Sequence, residues 1–97
     1  MEEKKIITLD LTGCTSLGEW HQRIRKAFDF PEWYGENWDA FWDLLQTECD
    51  ADKVEILGEH TLPKEFMPEL EQMHEVLQRN IEDCKLYGWN FDFEIIS

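Results

Sequence analysis

Basic residues are scarce in this chain: nine lysines and arginines stand against 22 acids in 97 residues, a formal charge of −13 at neutral pH. A protein that grips nucleic acid by its phosphates needs a basic footprint, so the deficit excludes direct nucleic-acid binding. It argues equally against anionic membrane surfaces. No apolar run approaches the length that spans a bilayer. The N-terminal MEEKKIITLDL is too short and interrupted for a secretory leader, and no small-residue cleavage site follows it, so a cytoplasmic protein is expected. Cysteine is limited to Cys14, Cys49 and Cys84, an odd number at unrelated spacings. That fits reduced thiols and not a disulfide framework. Linkers, repeats and low-complexity segments are missing too, and the length suits one core, so residues 1–97 read as one domain.

Catalytic constellations are also missing. His21, His60 and His74 lack metal-ligand spacing with each other or with the cysteines. No glycine-rich phosphate loop occurs, and no nucleophile, base and orienter can be grouped. The pair Asp39 and Asp43 lies on one helical face, whereas glycoside hydrolysis needs carboxylates on opposite sides of a bond. The sequence therefore implies no enzyme, no cofactor and no metal.

What the chain has in abundance sits between Pro31 and Leu45, PEWYGENWDAFWDLL. Three of the five tryptophans, one tyrosine and one phenylalanine are crowded there among four carboxylates. Aromatic anchors beside acids suit a surface that grips something positively charged. Pro31 and Gly35 mark Phe30 to Glu36 as a loop, and Asn37 stands where a helix N-cap belongs. From Trp38 the spacing is helical. Leu44, Phe41, Leu45, Trp38 and Trp42 sweep out one apolar arc, while Asp39, Asp43 and Gln46 fall on the next, with Trp42 at the seam. The like charges at i and i+4 cost a few tenths of a kcal/mol. A solvated acidic face would be the bland explanation, but such a face needs no tryptophans.

Elsewhere the pattern alternates strands with helices. Ile6 to Leu11 reads as a strand. A capping box of Ser16 and Glu19 opens a helix whose Leu17, Trp20, Ile24, Ala27 and Phe28 keep helical spacing. His21, beside Trp20, reads as a partly buried structural residue. The loop and the Trp38 to Thr47 helix precede a short strand, Lys53 to Leu57, stopped by Gly58. Pro63 and Pro68 divide a short helical turn from a long helix striped by Leu70, Met73, Leu77, Ile81 and Cys84, which Gly88 closes. Trp89 to Ile96 alternates again, with Phe91, Phe93 and Ile95 facing one way. Strands separated by helices predict an α/β fold: a small three-stranded parallel sheet packed with three to four helices. The first strand is expected in the middle of the sheet. Trp20, Phe28, Phe41, Leu45, Leu77 and the aromatic last strand are the expected core.

The run from Trp20 to Leu45, WHQRIRKAFDFPEWYGENWDAFWDLL, resembles the corresponding region of the barstar family, intracellular inhibitors of barnase-type ribonucleases. The Pro-Glu-aromatic-Tyr-Gly-Glu-Asn motif followed by an Asp-Ala-x-Trp-Asp helix is long and unusual, and His21-Gln22 also fits. The resemblance implies a barstar-like fold in which Trp33, Asp39, Trp42 and Asp43 enter a ribonuclease active site. Asp43 matches the principal carboxylate, which takes the place of a substrate phosphate. Gln46 matches a further helix contact that is usually threonine, Glu48 replaces a usual tryptophan, and Trp33 replaces a usual tyrosine. An acid late in the last long helix corresponds to Glu82 or Asp83. The implied partner is a basic extracellular ribonuclease or ribonuclease toxin domain, bound 1:1 by a monomer that protects the producing cell. Three alternatives are an immunity or binding protein for another basic toxin, an acidic nucleic-acid mimic, and a scaffolding subunit.

Overall fold

A computed structural model describes residues 5–96 of the chain. The first strand, β1 (Ile6–Asp10), turns Ile7 and Leu9 inward and leaves Ile6, Thr8 and Asp10 outside. Helix α1 (Leu17–Phe28) starts at Ser16, whose hydroxyl accepts the Glu19 N–H at 3.1 Å. Only this half of the capping box forms. The Glu19 carboxylate pairs with Arg23 one turn on, at 2.9 Å, and Arg23 also donates to the carbonyls of Asp10 and Thr12.

Helix α2 (Trp38–Thr47) leads to β2 (Lys53–Leu57). Two 3₁₀ turns, Glu59–Thr61 and Lys64–Phe66, precede α3 (Met67–Leu86). Pro68 is tolerated because the first helical turn has no use for its missing N–H. The end of α3 is closed by Gly88 at φ +71°: the Gly88 N–H bonds the Lys85 carbonyl and the Trp89 N–H bonds that of Cys84. The last strand, β3, is Asp92–Ile96. It begins three residues later than the alternation suggests, because the turn at Gly88 uses Trp89.

The sheet is parallel throughout, in the order β1-β2-β3. This corrects the expectation that β1 is central: β2 is. Each crossover advances by one strand in the same direction. Arg23 occupies carbonyls at the end of β1 and just beyond it. The central position explains why Val54 and Ile56 have no exposed surface and why the remaining residues of β2 are half-buried. The inward face carries Ile7, Leu9, Val54 and Ile56 beneath the helices. The outward face is polar, with Lys53 bridging to Glu94 at 2.7 Å and lying near Glu55. Parallel sheets usually have both faces covered; this one has a charged bare side.

Trp20, Phe28, Phe41, Leu45 and Leu77 are all buried, as expected. Full burial of such a side chain is worth about 1.5–3 kcal/mol. The aromatic last strand contributes less. Phe91 is buried and Phe93 partly so, but Ile95 is 45 % exposed on the edge strand. Phe41 meets Phe28 edge-on at 5.4 Å, and Trp20 meets Trp38 at 5.6 Å. These contacts lock α1 against α2 and fix the segment between them.

Candidate protein-binding site

Helix α1 ends at Asp29, which takes the left-handed conformation at φ 57°. The Phe30 N–H reaches back to the Arg25 carbonyl at 2.9 Å, so the chain reverses sharply into the loop. A turn bonded from the Tyr34 N–H to the Pro31 carbonyl follows. Phe30 and Tyr34 plug into the core, stacked obliquely with ring centroids 5.5 Å apart. Trp33 between them has nowhere to go but out, and stands 71 % exposed. Its exposure is thus a product of two buried aromatic neighbours.

Tyr34 is held from below. Its hydroxyl lies 2.7 Å from Nδ1 of His21, whose ring is also 4.5 Å from that of Trp38. His21 is 1 % exposed, deeper than its partly buried reading. Burial pushes its pKa below the ordinary 6.5, against the opposing pull of Glu36 and Glu69. The same desolvation pushes the Tyr34 hydroxyl well up. A neutral imidazole therefore ties α1, the loop and α2 together. The Trp38 indole N–H adds a bond to the Glu69 carboxylate on α3.

Glu36 adopts φ 51°, a conformation that costs a side-chain-bearing residue about 1–2 kcal/mol. It swings the chain into α2, where the Asn37 side chain accepts the Ala40 N–H at 2.8 Å. The helix presents Asp39, Asp43 and Gln46 to solvent, and Trp42 lies half-buried at the edge of that face. Trp33, the exposed side of α2 and the adjoining surface of α3 together form an acidic, aromatic-rich face.

Helix α3 changes the reading in two ways. The Arg79 guanidinium lies 5.2 Å from the Trp42 ring centroid, so a cation stands inside the acidic face and clamps its tryptophan. Nothing in the sequence pairing signals this, because the two residues meet only when α3 docks on α2. Of the two late-helix acids, Asp83 is half-buried and lines a concavity of about 670 Å³ together with Gln46. Glu82 points to solvent and does not line it. Glu48 is the exposed cap residue of α2.

Beyond Asp83 lie two exposed aromatics, one of which sequence reasoning misplaced. Tyr87 and Trp89 are 70 % and 64 % exposed, with ring centroids 5.3 Å apart. Trp89 was expected inside a strand, and the Gly88 turn sends it to the surface instead. Among the described residues, no three His, Cys, Asp or Glu side chains are grouped to hold a metal. Cys14, Cys49 and Cys84 are free thiols, each with its pKa raised by burial.

Comparison with known proteins gives two matches of consequence. The family described as Barstar (barnase inhibitor) matches residues 4–84. A protein of Bacillus subtilis (strain 168) named "Putative ribonuclease inhibitor YrdF" is 30% identical over 66 residues, covering 67% of this chain and 72% of that protein. The family match takes in the loop, α2 and Asp83, and stops short of Tyr87 and Trp89.

Proposed function

This chain belongs to the barstar family, and from that premise we propose that it binds a small basic ribonuclease and blocks its active site. One observation carries the reading. Trp33 is forced outward beside a helix whose Asp39 and Asp43 both face solvent. Such a face offers a ribonuclease what its substrate offers: negative charge at close spacing and a flat ring to stack on. Asp43 takes the place of a substrate phosphate among the enzyme's basic residues. Asp39 and Gln46 flank it, Trp33 and Trp42 supply apolar contact, and Asp83 continues the acidic surface onto α3. The second late-helix acid, Glu82, is left at the rim.

The chain acts as a single barstar-like domain, a monomer in a 1:1 complex, and not as an enzyme. A charge of −13 speeds encounter with a basic partner. Free thiols fit a reducing cytoplasm. There the protein shields the producing cell from an extracellular ribonuclease, or from a ribonuclease domain of a larger toxin. The test is RNA hydrolysis by barnase-type ribonucleases, including any encoded beside this chain, with stoichiometric protein added. Hydrolysis stops against the cognate enzyme, and a nucleotide of substrate size competes for the site. Full activity across the whole panel would refute the proposal.

A further inference from the structure

We infer that Arg79 decides which ribonuclease this chain accepts, by pairing with a carboxylate that the cognate enzyme carries within its basic surface; this rests on the inhibitor reading above. No lysine or arginine lies between Lys26 and Lys53, so the loop and α2 bring no such cation of their own. Helix α3 supplies one. Arg79 is the only lysine or arginine between Lys64 and Lys85, and its guanidinium is set over Trp42, 5.2 Å from the ring centroid. Trp42 borders the acidic side of α2 and is next in sequence to Asp43. A partner that closes on Trp42 and Asp43 therefore meets a cation as well.

That placement forgoes an easier one. Glu75 and Asp83 stand four residues away on either side of Arg79 along α3, at the spacing where an arginine ordinarily finds a carboxylate. Among the described residues Arg79 pairs with neither of them, nor with any other acid. Stacking on the indole uses the flat of the guanidinium and leaves its edge, which carries the N–H donors, unmatched by a counter-charge. Arg79 is exposed, so water serves those donors in the free chain.

Binding removes that water. A ribonuclease surface that is basic throughout sets like charge against the guanidinium, which selects against such a partner. A carboxylate at that point answers it. Its two oxygens match the guanidinium fork, and the stacked ring has already fixed the fork in place, so little freedom is lost on pairing. An uncharged acceptor meets a donor but not the charge. The face is acidic with one exception, and the partner it fits is basic with one carboxylate opposite.

The experiment uses the barnase-type ribonuclease that the hydrolysis panel shows to be inhibited. Stopped-flow rates and melting curves are measured for the parent chain, Arg79→Met and Arg79→Glu. Charge alone makes both variants more acidic and so better binders of a basic enzyme. The pairing predicts the reverse: dissociation about tenfold faster for Arg79→Met and about a hundredfold faster for Arg79→Glu, with melting temperature unchanged. Surface carboxylates of the ribonuclease outside its catalytic residues are then replaced by arginine one at a time. One replacement should weaken binding to the parent and restore it to Arg79→Glu, a coupling that a cation merely covering Trp42 does not produce. Variants that bind as tightly as the parent, or more tightly, overturn the inference and leave the inhibitor reading intact. A loss that no ribonuclease substitution reverses does the same, and reduces Arg79 to a support for Trp42. If no ribonuclease in the panel is inhibited, the inhibitor reading falls and this inference falls with it.

Discussion

Replacing Tyr34 with phenylalanine removes a single oxygen from a buried position, yet it should weaken both the fold and the binding. The hydroxyl is 2.7 Å from His21 Nδ1, and the two residues are 5 % and 1 % exposed. The aromatic packing survives the substitution, but a buried ring nitrogen is left unpaired. That penalty is about 1–3 kcal/mol, which for a domain of this size lowers the melting temperature by on the order of 10 °C. Urea and thermal melts at neutral pH measure it. Ribonuclease inhibition should fall as well, because the bond from the Tyr34 hydroxyl to His21 anchors the loop that carries Trp33. The His21 ring adds a pH signature. Above its ordinary pKa of 6.5 both folded and unfolded rings are neutral and pH has no leverage. Below 6.5 the unfolded chain gains a proton that the buried ring refuses, so stability falls with falling pH until the folded ring also protonates. The contribution is at most about 1.4 kcal/mol per pH unit, and His21→Gln should remove it. A Tyr34→Phe protein as stable as the parent, with inhibition unchanged, would refute the argument that this bond holds the loop.

Asp43→Ala should cost about 2–5 kcal/mol of binding by leaving the partner's cations buried and unpaired, a range drawn in part from the barnase–barstar pair; calorimetry should rank it above Trp33→Ala and Asp39→Ala, with Glu48→Ala nearly neutral and all four melting as the parent. Association should slow as salt rises while dissociation changes less, because steering acts at long range and buried contacts do not; a salt-independent on-rate in stopped-flow would remove charge from the account. Gly58→Ala should destabilise by about 2–5 kcal/mol, since Gly58 sits at φ +79° and an added Cβ would run into the backbone of Thr12; equilibrium unfolding decides it.

The local parts of the fold were readable because local rules decide them. Asn37 caps α2, which spans Trp38–Thr47, and β2 spans Lys53–Leu57, both as spacing and turn residues predict. Strand order was not readable that way. It depends on how far each crossover travels over the sheet, and no residue of β1 or β2 encodes that by itself. Trp89 failed for a related reason: alternation from Trp89 to Ile96 imitates a strand, while the left-handed turn at Gly88 takes its first residues for a helix cap. At the candidate site, the exposure of Trp33 and of the α2 acids could be read from sequence because the loop and helix are contiguous. Arg79 over Trp42, the place of Asp83 but not Glu82 in the lining of the concavity, and the Tyr87–Trp89 pair all depend on the docking of α3, and became visible only in three dimensions.

The central position of β2 also sets the order in which the molecule can assemble. Neither β1 nor β3 touches the other, so every strand pairing waits on Lys53–Leu57. The 42 residues from Leu11 to Asp52, the Trp33 loop and α2 among them, must be spanned before β1 finds its neighbour. Closing so long a segment is an entropic toll taken early, before the sheet returns anything. Substitutions at Val54 and Ile56 should therefore slow folding, while changes in β3 should act chiefly by hastening unfolding, which stopped-flow refolding measures. The pairing of β2 thus sets how quickly a newly made chain can present the acidic face of α2.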